Sequence, residues 1–220
     1  MVQAATALPH GNGQYSAVVA DEESAFCSAF TIEVDPEFPG DGDWDCPVVG
    51  FDRTGAVMAD FDSRWGTPFV VRVRPDEGQD WVAMLEAGGL GPMRGAFSTP
   101  SQHLLAVIVD GLGYLLDALS PDRPAQIILD QIQQVVPMTD PPLLLLVRFC
   151  DIAALGPAGI AWKTPRLCVD GLEVKEAKAG GIVCSCDNIG ETPTIILDPA
   201  SGIQVAGTRL DSFWPPDART

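Results

Sequence analysis

The chain has 220 residues, with 30 acidic and 13 basic side chains and a formal net charge of −17. That balance argues against nucleic acid, whose phosphates demand clustered Lys and Arg, and against anionic membrane surfaces. It suits a basic protein partner, a cation, or plain solubility.

No apolar run approaches the roughly 20 residues that a membrane-spanning helix needs. The length supports one substantial core, because a domain of this size buries roughly 70–75% of its unfolded surface. The first residues, MVQAATALPHGNG, contain neither a basic stretch nor a long apolar one, so no secretory leader is expected. The six cysteines, at 27, 46, 150, 168, 184 and 186, include no Cys-x-x-Cys pair. They read as reduced, mostly buried thiols of a cytoplasmic protein.

Taken in order, residues 1–14 are small, polar and marked by Gly and Pro, and are expected to be a loose arm. Residues 15–20 and 26–34 each read as a strand, the second with Phe30, Ile32 and Val34 on one face. An acidic, Gly- and Pro-rich loop follows at 35–47. Residues 48–51 and 56–58 flank Asp52-Arg53-Thr54-Gly55, the pattern of a hairpin. Residues 69–73 and 81–85 are strands, and 86–103 read as irregular.

Residues 104–109 meet 114–116 across Asp110-Gly111-Leu112-Gly113, a second hairpin. Over 124–137, Ile127, Ile128, Ile132 and Val135 recur near a helical period, but prolines bracket the stretch. One short helix and a strand pair both fit. The most apolar run, Leu143 to Val147, is too short for a helix between its flanking prolines and reads as a strand buried on both faces. A Gly-Pro-Ala-Gly turn, a short strand carrying Trp162, and an Asp170-Gly171 tight turn follow. Residues 181–183, 194–197 and 203–205 are further strands, and 212–220 form a tail in which Phe213 and Trp214 are available to pack back.

Short strands at close spacing, joined by Asx-to-Gly turns, predict an all-β fold of mainly antiparallel strands. Propeller-like or sandwich packing is expected, with at most one or two short helices. Residues 15–211 are expected to form one domain, the alternative being two β units split near residue 100. The strand–Asp–turn–strand style of Asp52, Asp110 and Asp198 looks like propeller blades. Hairpin turns alone produce the same grammar, however, and no unit of about 40 residues aligns.

The chemistry-bearing motifs are sparse. Asp41, Asp43 and Asp45 alternate as oxygen ligands of a hard cation do. An EF-hand loop started at Asp41 would place Cys46 where Gly is required and Pro47 next to it, so that motif fails. Gly89-Leu90-Gly91 follows a strand but lacks the helix a dinucleotide loop requires. The two histidines are His10, in the arm, and His103; a thiol–imidazole pair of His103 with Cys150 or Cys168 is the nearest approach to a nucleophilic site. Cys184 and Cys186 fall on one face of a strand, without the partners that zinc or redox work needs. The five tryptophans (44, 65, 81, 162 and 214) suit a sugar- or protein-binding wall, but core is their commoner place.

No residue is thereby assigned a catalytic, cofactor-binding or metal-binding role. The expectation is a non-enzymatic interaction or scaffold module. The alternatives are a carboxylate-based hydrolase or sugar-binding β protein, and a Ca²⁺-stabilised β domain.

Overall fold

The computed structural model describes residues 5–6, 25–40, 43–59, 67–88, 91–187 and 191–208. Every regular element among them is a β-strand, so the fold class is all-β. The strands form four sheets. The chain divides into two compact units, one of Ala7–Ile132 and one of Met1–Thr6 with Gln133–Thr220. The expected strand at 15–20 and the tail with Phe213 and Trp214 lie outside the described residues.

Strands are numbered in chain order, and β1 (Ala5–Thr6) belongs with the Gln133–Thr220 unit. In the Ala7–Ile132 unit, one sheet contains β2 (Phe30–Val34), β3 (Val48–Phe51), β4 (Val57–Met58), β5 (Phe69–Pro75) and β6 (Trp81–Leu85), in the order β2-β5-β6-β3-β4. Its neighbours are antiparallel apart from β3 and β6, which run parallel. The other sheet is a simple meander of β7 (Gly95–Ser98), β8 (Leu104–Val109), β9 (Leu112–Asp117) and β10 (Gln126–Ile127).

Alternate residues of the two sheets share one core that includes Phe51, Phe69, Val71, Val73, Leu85, Leu105, Val107 and Leu116. Phe30 is buried there, with Ile32 and Val34 packed against it, as the alternation of that strand required. Two aromatic residues bring polar atoms into this core and satisfy them on backbone carbonyls. Trp81 Nε1 donates to Ala118 O at 3.0 Å, and Tyr114 Oη donates to Glu86 O at 2.8 Å.

In the other unit, β1, β11 (Gln134–Thr139), β12 (Pro142–Val147), β13 (Ile152–Gly156) and β14 (Gly159–Lys163) form one sheet. Strands β15 (Asp170–Lys178), β16 (Gly181–Asp187), β17 (Thr194–Leu197) and β18 (Gln204–Gly207) form the second. Again two sheets face one core, including Leu143, Leu145, Val147, Ile152, Leu172, Ile182, Ile195 and Leu197. Leu144 and Leu146, on the opposite face of β12, are also buried, so that strand is covered on both sides.

Three local expectations are corrected, and one open reading is settled. Residues 86–103 are not wholly irregular, because Gly95 to Ser98 pair with Leu105 to Ile108 as β7. The β8–β9 turn is only Asp110-Gly111, both at positive φ (48° and 83°), and Leu112-Gly113 already belong to β9. The 124–137 stretch resolves as strands, because its apolar residues meet strand partners: Ile127 pairs with Tyr114, and Val135 with Leu146. Finally, Asp170-Gly171 does not turn the chain back. It opens β15, where the register slips between Asp170 and Glu173 and Gly171 takes φ 63°.

Candidate functional site

The functionally suggestive surface is built on the loop from β2 to β3. Strand β2 ends as Asp35, at φ 48°, donates its N–H to Val70 O at 2.9 Å and turns away from the sheet. The loop returns at Pro47, whose carbonyl accepts the Val82 N–H at 2.8 Å, and β3 begins. Between these anchors the described residues present Asp35, Glu37, Asp43 and Asp45 to solvent. Asp41 and Gly42 are outside the described residues.

Among the carboxylates stand two aromatic rings. Phe38 is 55% exposed and meets Trp44 edge to face, with centroids 5.2 Å apart. Phe38 therefore offers apolar surface to water instead of to the core. Trp44 is half-buried, and its Nε1, shielded from solvent, has no hydrogen-bond partner. Leaving such a donor unmade costs roughly 1–3 kcal/mol.

A charged ribbon holds the base of the loop. Arg72, on β5, bridges Asp45 at 3.0 Å and Asp80 at 3.1 Å. Arg74, two residues along the same face, reaches Asp80 at 3.5 Å and also binds Glu33 on β2. The Arg72 hydrogen bond holds the Asp45 carboxyl below the usual aspartate value of 3.8. The Asp45 side chain nevertheless remains 73% exposed.

The same use of cations recurs across the chain: Arg94 is paired with Asp110, Arg123 with Asp117, Arg148 with Asp151, Lys175 with Glu173, and Lys178 with Glu176. Arg166 is spent on the carbonyls of Cys168 and Val169.

The remaining sequence candidates fall as follows. Asp45 is engaged by Arg72, and among the described residues no group of three or more His, Cys, Asp or Glu side chains is arranged to hold a metal. The Gly-rich segment after β6 serves packing: Gly88 N donates to Val109 O and Gly91 N to Asp110 O, and β7, not a helix, follows. His103 is exposed at the mouth of β8, while the Cys150 and Cys168 sulfurs bond backbone carbonyls of their own unit. Cys184 and Cys186 both face the core, where burial raises their thiol pKa values.

Glu86 is buried and accepts the Arg53 N–H at 3.1 Å, tying the β3–β4 turn to the end of β6. Trp81 is core. Trp162 donates to Pro199 O at 2.9 Å, and Trp65 and Trp214 lie outside the described residues. Among the described residues no helix is long and apolar enough to cross a membrane.

Sequence reading singled out the acids of this loop but missed Phe38 as an exposed ring. The available signal was its setting, Pro36-Glu37-Phe38-Pro39-Gly40, where no strand alternation requires an aromatic residue. Against known proteins, no family model and no curated sequence matches this chain.

Proposed function

We propose that this protein is a cytoplasmic, non-enzymatic interaction module whose β2–β3 loop takes a basic segment of a protein partner. The observation that carries the reading is the pairing of exposed Phe38 with a surround of exposed carboxylates at Asp35, Glu37, Asp43 and Asp45. An aromatic ring supplies an anchor of the kind that dominates binding energy, and its face attracts a Lys or Arg side chain. The carboxylates supply steering and register more than raw affinity. With its own arginines held by Asp45, Asp80, Glu33, Asp110 and Asp151, the chain offers a negative field to a cationic partner.

The test is capture on tagged full-length protein from its own cell extract at physiological salt, with retained proteins identified by mass spectrometry. One stoichiometric basic partner is expected. It should be released by about 0.5 M salt and weakened about tenfold by Phe38→Ala, as loss of an anchoring ring implies. An empty preparation, or equal retention by Phe38→Ala, overturns the proposal. Turnover of a substrate that a single Asp or Glu substitution abolishes without unfolding would install the carboxylate-hydrolase reading in its place.

A further inference from the structure

Strand β18 is firmly placed and yet left bare. Gly202 N donates to Asp198 O at 2.8 Å and Asp198 N to Ile203 O at 2.9 Å, which closes the β17–β18 turn. Trp162 holds that turn from the neighbouring sheet, its Nε1 donating to Pro199 O. The strand then runs along β17, pairing Gln204 with Leu197, Ala206 with Ile196 and Gly207 with Ile195. Even so, Ile203 and Val205 are 64% and 63% exposed, the highest values of any large apolar side chain among the described residues. Ala206 and Gly207 are exposed as well.

The pairing shows which face is bare. Ile195 and Leu197 point into the core, so Ile196 between them points away from it. Gln204 stands opposite Leu197, and the residues on either side of it, Ile203 and Val205, fall on the face of Ile196. Val183, the β16 partner of Ile196, continues that face toward the middle of the sheet. An apolar stripe results, from half-buried Val183 and Ile196 to exposed Val205 and Ile203 at the sheet edge. The edge itself offers less to a partner. Gln204 Nε2 donates to Thr208 O at 3.0 Å and to Ala206 O at 3.3 Å, so two backbone acceptors are already engaged within the chain.

We propose that this face is a docking site for the segment that follows it, residues 209–220, with the Phe213 and Trp214 rings lying over Ile203 and Val205. Reach permits it. Six residues lead from Thr208 to Trp214 and span up to about 20 Å, whereas Thr208 lies about 17 Å from Ile203 along an extended strand. One reversal of the chain therefore brings the rings onto the stripe. The chemistry matches, because two aromatic side chains carry roughly 150–250 Å² each of surface to bury. Pro215 and Pro216 follow directly and have no N–H to give a ladder, so the contact is made through side chains. The tether decides between this segment and a second copy of the chain. A short linker gives an effective concentration on the order of millimolar, so a contact too weak to hold two separate molecules at micromolar concentration is still populated within one.

The test is NMR on the full-length protein with ¹³C-labelled Ile and Val methyl groups, the signals assigned through Ile203→Leu and Val205→Leu. Ring currents should move the Ile203 and Val205 methyls upfield, with nuclear Overhauser contacts to the ring protons of Phe213 and Trp214. Phe213→Ala combined with Trp214→Ala should return both signals to ordinary methyl positions, and tenfold dilution of the wild type should leave them shifted. Unshifted methyls in the wild type overturn the proposal. So do shifts that survive the double substitution, which would place another segment on the face, and shifts that vanish on dilution, which would place a second copy there. The wild-type contacts decide the matter whether or not the double variant folds.

Discussion

Asp52 shows how one side chain organises a turn. Its carboxylate accepts the Thr54 hydroxyl at 2.7 Å, the Thr54 N–H at 2.8 Å and the Ala56 N–H at 3.0 Å. These bonds, the Thr54 hydroxyl foremost, hold its pKa below the ordinary 3.8. A depressed carboxylate pKa contributes stability that is present above the unfolded value and is lost as pH falls through the folded one. The β3–β4 turn should therefore loosen only below pH 3.8. In Thr54→Val, a carboxyl NMR titration should show the Asp52 midpoint moved up toward that value, and an unmoved midpoint would transfer the effect to the backbone donors alone. The Asp-to-Gly spacing of this turn was legible in the sequence, because Asx turns use fixed local offsets. The Trp44–Phe38 pairing was not, since a ring contact across a loop leaves no periodic trace.

At the scale of elements, two long-range contacts complete the second unit. The buried Gln134 side chain on β11 bonds both main-chain groups of Val174 on β15, accepting its N–H at 2.9 Å and donating to its carbonyl at 3.1 Å. It does so beside the register slip between Val174 and Glu176, where the regular ladder is interrupted. Gln134→Leu removes both of these buried bonds and should cost about 2–5 kcal/mol. Urea unfolding should show that loss as a lower midpoint at unchanged slope.

The β17–β18 turn carries the second contact. Gly202 there has φ 69°, and a Cβ on it would sit 2.5 Å from Trp162 Cε3. Gly202→Ala should destabilise by about 2–4 kcal/mol, combining a left-handed backbone penalty with overpacking. A shifted tryptophan emission should accompany the lower melting point, and an unchanged melting point would mean the indole moves aside freely.

For the molecule as a whole, a net charge of −17 sets like-charge repulsion against folding. Many of the opposing ion pairs are solvent-exposed, as with Arg123–Asp117 and Lys178–Glu176, and pairs of that kind contribute little. Screening should therefore remove more repulsion than attraction. The melting temperature is expected to rise by about 2–4 °C between roughly 10 and 150 mM NaCl, a shift worth about 1 kcal/mol for a chain of this size. A fall would show that the ribbon of Arg72, Arg74, Asp45, Asp80 and Glu33 outweighs the repulsion.

What the sequence determined by itself is the all-β class and most strand positions. Alternation, as in Phe30-Ile32-Val34, and bracketed apolar runs, as in Leu143 to Val147, are local signals with a period of their own. Only tertiary structure decided that the 124–137 stretch forms strands, because a 3.6-residue recurrence is overridden where Ile127 finds Tyr114 and Val135 finds Leu146. It alone decided that the four sheets pair as β2-β5-β6-β3-β4, β1-β11-β12-β13-β14 and two meanders, since strand partnership depends on which faces meet. The segments that carry Cys150 and Cys168 also meet only in the fold, through hydrogen bonds of Leu167 to Cys150 and of Leu172 to Phe149 that no sequence spacing announces.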